Sequence, residues 1–116
     1  PIPREEMGGF YADGHVLLCM SEHEGGPLPV VEAMHVGRPV ISTSVGIVPE
    51  VVKMGINGWI VERSAAALTK RIRWLVDNSG CLEAMGSAAH DSVKHRGGAG
   101  MAATYDKMFR SVLKEV

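Results

Sequence analysis

The stretch HVLLCMSEHEGGPLPVVEAMHVGRPVIST, residues 15–43, holds two apolar runs separated by a polar glycine loop and a helix-like segment. The first run, residues 15–20, is bounded by Gly14 on one side and by Ser21 and Glu22 on the other. Its continuous apolar character predicts a strand buried on both faces. Residues 21–26 form a polar, glycine-rich turn, and LPVVEAMHV follows. Pro29 suits the first turn of a helix, where a missing N–H leaves no bond unmade, and Gly37 and Pro39 supply the stop. Residues 39–43, PVIST, predict a second buried strand.

The same punctuation continues downstream. Pro49, Glu50, Val51 and Val52 open a short helix, the Asn57 and Gly58 pair marks a turn, and residues 59–61 read as a third strand. Strand, helix, strand, helix, strand is the order of parallel right-handed crossovers. The expected fold is therefore α/β: part of a Rossmann-like domain, three parallel strands with crossover helices and a helical C-terminal tail. In that tail Leu68, Ile72, Leu75 and Val76 share one helical face, Lys70, Arg71 and Arg73 turn outward, and Ser64 is placed to cap. A helix over residues 82–94 follows. A last one carries Met101, Tyr105, Met108, Phe109, Val112, Leu113 and Val116 along a seam, after a connector at residues 95–100. Upstream, residues 3–11 predict a short helix with Glu5 and Glu6 in its first turn, where the positive end of the helix dipole favours acid.

Composition narrows the function. The 116 residues are 46% hydrophobic and 22% charged, enough apolar material for one domain of this type. A chain of this size buries roughly two thirds of its unfolded surface, so loss of a neighbouring domain would leave it marginal. The net charge is −1 and the Lys and Arg residues are scattered, which speaks against nucleic acid as a partner. The longest stretch without charge or His, residues 39–49, is about half the ~20 residues of a membrane-spanning helix, so no transmembrane segment is expected. With no basic and apolar leader, the expected location is cytoplasmic. Cys19 and Cys81 have no ligand-like spacing and read as buried reduced thiols. The five His residues likewise form no recognisable ligand spacing and read as solvated or locally satisfied imidazoles. His23 is the one imidazole beside the glycine turn. The first residue is Pro1, which points to a chain excised from a longer one.

The chemistry concentrates in SEHEGGPLPVVEAM, where Glu24 and Glu32 flank the turn. At the carboxyl end of a parallel strand, glycines let backbone approach a ligand, and the next helix offers unsatisfied N–H groups suited to phosphate. An acid early in that helix can accept from the vicinal hydroxyls of a ribose. The bland alternative is that such acids complement the helix dipole, worth about 0.3–1 kcal/mol. Two other patterns fail on context. Gly98, Gly100 and Ala103 match a dinucleotide fingerprint but follow a helical segment instead of a strand. Ser21 lacks the flanking glycines of a nucleophile elbow.

The ordered set Ser21, Glu24, Gly25, Pro27, Leu28, Glu32, Ala33, Met34, Gly37, Arg38, Pro39, Val40 and Ile41 resembles the donor-site signature of the group 1 (family 4) retaining glycosyltransferases, which have the two-domain GT-B fold. Asp13, Pro49, Glu50, Asn57, Gly58, Met85 and Gly86 extend the resemblance over almost the whole chain. It implies that Glu24 is the catalytic-site acid, contacting the transferred sugar and stabilising charge, and that Glu32 binds the ribose. The backbone of Gly25, Gly26, Pro27 and Leu28 would lie against sugar and diphosphate, with no metal in the site and no cofactor besides the substrate. The partner implied is a nucleoside diphosphate sugar, and an acceptor sugar, lipid or small molecule would reach it through an N-terminal domain. Peripheral membrane association of the whole protein is compatible with this.

The chain departs from the pattern at Gly26, where an aromatic residue is common, and at Ile47, where a glycine is usual. The family's basic pair for the diphosphate would lie upstream of Pro1, so residues 1–116 are expected to be the C-terminal sugar-nucleotide-binding part of a larger enzyme and inactive alone. Two rivals keep the fold. One is a non-catalytic nucleotide-sugar-binding or interaction module. The other is an unrelated nucleotide-binding Rossmann protein, such as a dehydrogenase or epimerase, which would bind a nicotinamide cofactor.

Overall fold

The computed structural model describes residues 13–23 and 28–95. Three short strands, β1 (Leu17–Cys19), β2 (Val40–Ser42) and β3 (Gly58–Ile60), form one parallel sheet in the order β1-β2-β3. Helix α1 (Leu28–His35) connects β1 to β2, and the one-turn α2 (Val48–Val51) connects β2 to β3. Helix α3 (Ala65–Asp77), a 3₁₀ turn (Ser79–Cys81) and α4 (Leu82–Val93) complete the described chain. The α/β architecture is the one expected. The helix expected over residues 3–11, the apolar seam of residues 101–116 and the connector beyond His95 lie outside the described residues.

Strand alternation divides the apolar residues between two cores. On one face Leu17, Cys19, Val40 and Ile60 pack with Val30 and Met34 of α1, Val48 and Val51 of α2, and Ala89 and Val93 of α4. On the other, Val16, Ile41, Trp59 and Val61 pack with Leu68 and Leu75 of α3 and with Leu82 and Met85 of α4. Helix α4 thus contributes to both cores. Helix α1 is buried from Val30 to His35 except for half-buried Val31, and it ends at Gly37, whose φ of 84° lies where side chains are disfavoured.

Several local expectations are corrected. Central β2 is buried on both faces, but Leu18 of β1 is 46% exposed. The reason is that Leu18 lines a groove of about 540 Å³ with His15, Val16, Ile41, Ile72, Leu75, Val76, Ser79 and Leu82, and no described element covers it. Ile72 and Val76 are exposed for the same reason, so only Leu75 and half-buried Leu68 of the expected stripe reach the core. Arg71 does not turn fully outward: it is half-buried, with its guanidinium carbon 5.6 Å from the centroid of the Trp59 ring. Trp59 also meets Trp74 edge to face at 5.2 Å. Both cysteines are free thiols, but half-buried. The turn before β3 uses Gly55 (φ 77°), whereas Gly58 already belongs to the strand. Ser64 caps α3 as expected, accepting from the Ala67 N–H at 3.1 Å.

Candidate functional site

The carboxyl ends of the three strands open on one side of the sheet, and short polar contacts join them. The Thr43 N–H, just past β2, donates to the Cys19 carbonyl at 3.0 Å, and Thr43 Oγ1 lies 2.5 Å from the Ser21 carbonyl oxygen, which it meets as donor. The Val61 N–H, just past β3, donates to the Ser42 carbonyl at 2.8 Å. From the next residue pair, Arg63 Nε donates to the Met20 carbonyl at 3.2 Å. The segment after β1 is therefore held to the ends of both β2 and β3 before the chain enters residues 24–27.

Of the sequence-predicted site residues, Glu24, Gly25, Gly26 and Pro27 lie outside the described residues. Leu28 opens α1, and Glu32 is its fifth residue. At 1.5 Å per residue, Glu32 sits about 6 Å along the axis from the helix start. It is 6% exposed, and among the described residues its carboxylate has no hydrogen bond or ion pair. A carboxylate so placed lacks, among the described residues, the compensation that buried ions normally have. Glu50, by contrast, is exposed in the first turn of α2 and has an interaction partner. His23 is exposed beside the mouth.

The histidines of the helical layer are satisfied locally. His90 Nδ1 lies 2.9 Å from the His35 carbonyl oxygen, with both residues buried between α1 and α4. No group of three or more His, Cys, Asp or Glu able to hold a metal occurs among the described residues. None of the described helices is long and apolar enough to cross a membrane. Sequence reading passed over Thr43 and Arg63, although both stand within three residues of a strand's carboxyl end. Position was the available signal.

A three-stranded parallel α/β sheet with crossover helices, and an acid buried in the helix after its first strand, is an architecture of the Rossmann-like class. Comparison with known proteins makes the class particular. The family described as glycosyl transferases group 1 matches residues 1–92, and the chain belongs to it. D-inositol 3-phosphate glycosyltransferase 1 of Catenulispora acidiphila is 29% identical over 118 residues, 98% of this chain and 28% of the relative. Sucrose-phosphate synthase from Thermosynechococcus elongatus superposes with a TM-score of 0.78 at 23% identity, over 99% of this chain and 29% of the other. Anabaena HepE, solved in complex with UDP, gives 0.71 at 21% identity, over 92% and 29%. These structures share the fold, which is that of a GT-B C-terminal domain. The chain spans less than a third of the length of each of these proteins.

Proposed function

We propose that the chain is the donor-binding part of a retaining glycosyl transferase that holds a nucleoside diphosphate sugar at the mouth of its parallel sheet. The observation that carries this is Glu32, 94% buried by its 6% exposure and without a partner for its carboxylate among the described residues. Two vicinal ribose hydroxyls would supply the two donors that this acceptor pair needs. HepE, whose fold this chain shares, was solved with UDP, which supports a nucleotide as occupant. Glu24 contacts the transferred sugar, and the backbone of Gly25, Gly26, Pro27 and Leu28 lies along sugar and diphosphate. The leaving diphosphate assists attack on the same face of the sugar, so Glu24 acts by positioning and charge stabilisation, and no metal takes part. The acceptor binds through a preceding domain in the full-length protein.

Isothermal titration of the full-length protein with UDP, GDP and ADP sugars tests the reading. Micromolar to millimolar binding of one nucleotide series is expected, weakened by Glu32→Ala. Binding of none, or binding indifferent to Glu32, would remove the donor role.

A further inference from the structure

The cation at the sheet mouth is the feature left unused by the donor reading above. Arg63 lies three residues past β3, yet its Nε bonds the Met20 carbonyl that follows β1. With neighbouring strands about 4.8 Å apart, β1 and β3 are separated by roughly 10 Å, so this bond links the ends of two strands that are not neighbours in the sheet. Its partner is a neutral carbonyl. The ion pair resolved among the described residues, Lys94 with Asp91, is elsewhere, and Arg63 has no carboxylate partner among them. Glu62, next to Arg63, and Glu22, two residues past Met20, are exposed and do not pair with it among the described residues.

A guanidinium anchored through Nε leaves both Nη groups, and four N–H bonds, without a partner among the described residues. Those two groups form the fork that matches two oxygens of a phosphate or carboxylate. The anchor also fixes the plane of the fork, so less side-chain freedom is lost when an anion arrives. We infer that Arg63 is an oxyanion-recognition residue at the mouth of the sheet, binding a phosphate or carboxylate group of a substrate. This rests on the donor reading for its substrate, but the geometry of the fork does not. Two sources carry the same chemistry: the diphosphate of the donor, or an anionic group on the acceptor.

The test uses the full-length protein as wild type and as R63Q, R63K and R73Q, the last removing an exposed arginine on α3. Inorganic pyrophosphate is titrated by calorimetry while the arginine Nε–Hε resonances are followed by NMR. R63Q is expected to weaken pyrophosphate at least about tenfold, the lower end of a hydrogen bond to a charged group. R63K should recover part of the loss, because it keeps the charge without the fork, and R73Q should match wild type. A loss in R63Q seen for UDP and not for uridine assigns the donor diphosphate. A loss seen for inorganic phosphate added to UDP-saturated protein assigns an acceptor group. Equal affinities in R63Q and R73Q for every anion would overturn the site while leaving nucleotide binding to stand. Pyrophosphate binding through Arg63 in a protein that binds no nucleotide would uphold the site and sink the donor reading.

Discussion

Gly86, in the middle of α4, lies so close to Gly37 that a Cβ built on it would come within 2.2 Å of the Gly37 carbonyl oxygen. Gly37 stands between α1 and β2, so the contact brings α4 against the amino end of the central strand. It also lies close to the point where α1 and α4 share buried residues, including the His90 to His35 contact. Helical propensity alone would favour alanine at position 86 by about 1 kcal/mol. The obstacle is backbone, which cannot rotate away, so the packing term wins.

Gly86→Ala should therefore destabilise the fold by about 1–3 kcal/mol, the usual range for overpacking. Gly80→Ala, at a site with nothing within 4 Å of the added atom, should stay within about 0.5 kcal/mol of wild type. Urea unfolding of the two variants side by side checks the difference. Equal midpoints would show that α4 can shift without cost.

Asn57 is fully buried and spends its amide on three bonds. Nδ2 donates to the Val51 carbonyl at 2.9 Å and is 2.8 Å from Ser92 Oγ, while Oδ1 accepts from the Lys53 N–H at 2.7 Å. Asn57→Ala should cost about 2 kcal/mol or more, since each abandoned buried partner keeps its desolvation penalty. Ser92→Ala removes one of these bonds and should cost less. Thermal melts of both should rank them in that order.

Ser64→Ala removes the N-cap bond of α3 and should lower stability by about 1 kcal/mol, while Ser64→Asp should retain most of it. Because α3 carries one of the two cores, the loss should appear in global unfolding and not only as fraying of one helix. Hydrogen exchange resolved by segment distinguishes the two outcomes.

Glu32 should separate stability from function. Replacing a buried acid that has no partner among the described residues relieves desolvation, so Glu32→Gln should keep or raise the melting temperature. Donor affinity should fall by about 1.5–3 kcal/mol, the worth of hydrogen bonds to a charged group. A variant that loses both together would mean that Glu32 is structural.

Glu24→Ala in the full-length protein should lower kcat more than it raises KM, because its proposed contact matters most as the bond from sugar to diphosphate breaks. Steady-state kinetics with the preferred donor checks this. A raised KM at unchanged kcat would move Glu24 to ground-state binding.

Much of the fold was legible because its signals are local. The apolar runs around Leu17 and Ile41, the Pro29 start and Gly37 stop of α1, and the Ser64 cap depend on residues within one turn of each other. Signals of this kind placed three strands and four helices in the right order. The acids at Glu24 and Glu32 were legible as a pattern on either side of a glycine turn, and α1 confirms the helical setting of Glu32. What the sequence could not supply depends on which faces meet. Leu18, Ile72 and Val76 have core-like periodicity, yet they line an open groove, because periodicity marks a face without saying what covers it. The close approach of Gly86 to Gly37 joins residues 49 positions apart in the numbering, and Arg63 reaches Met20 across 43. The sequence by itself determined the elements, their order and the residue types offered to a ligand. Only the tertiary structure decided that Glu32 is buried without a partner among the described residues and that Arg63, past β3, bonds the end of β1, because burial and pairing are properties of chain segments brought together by packing.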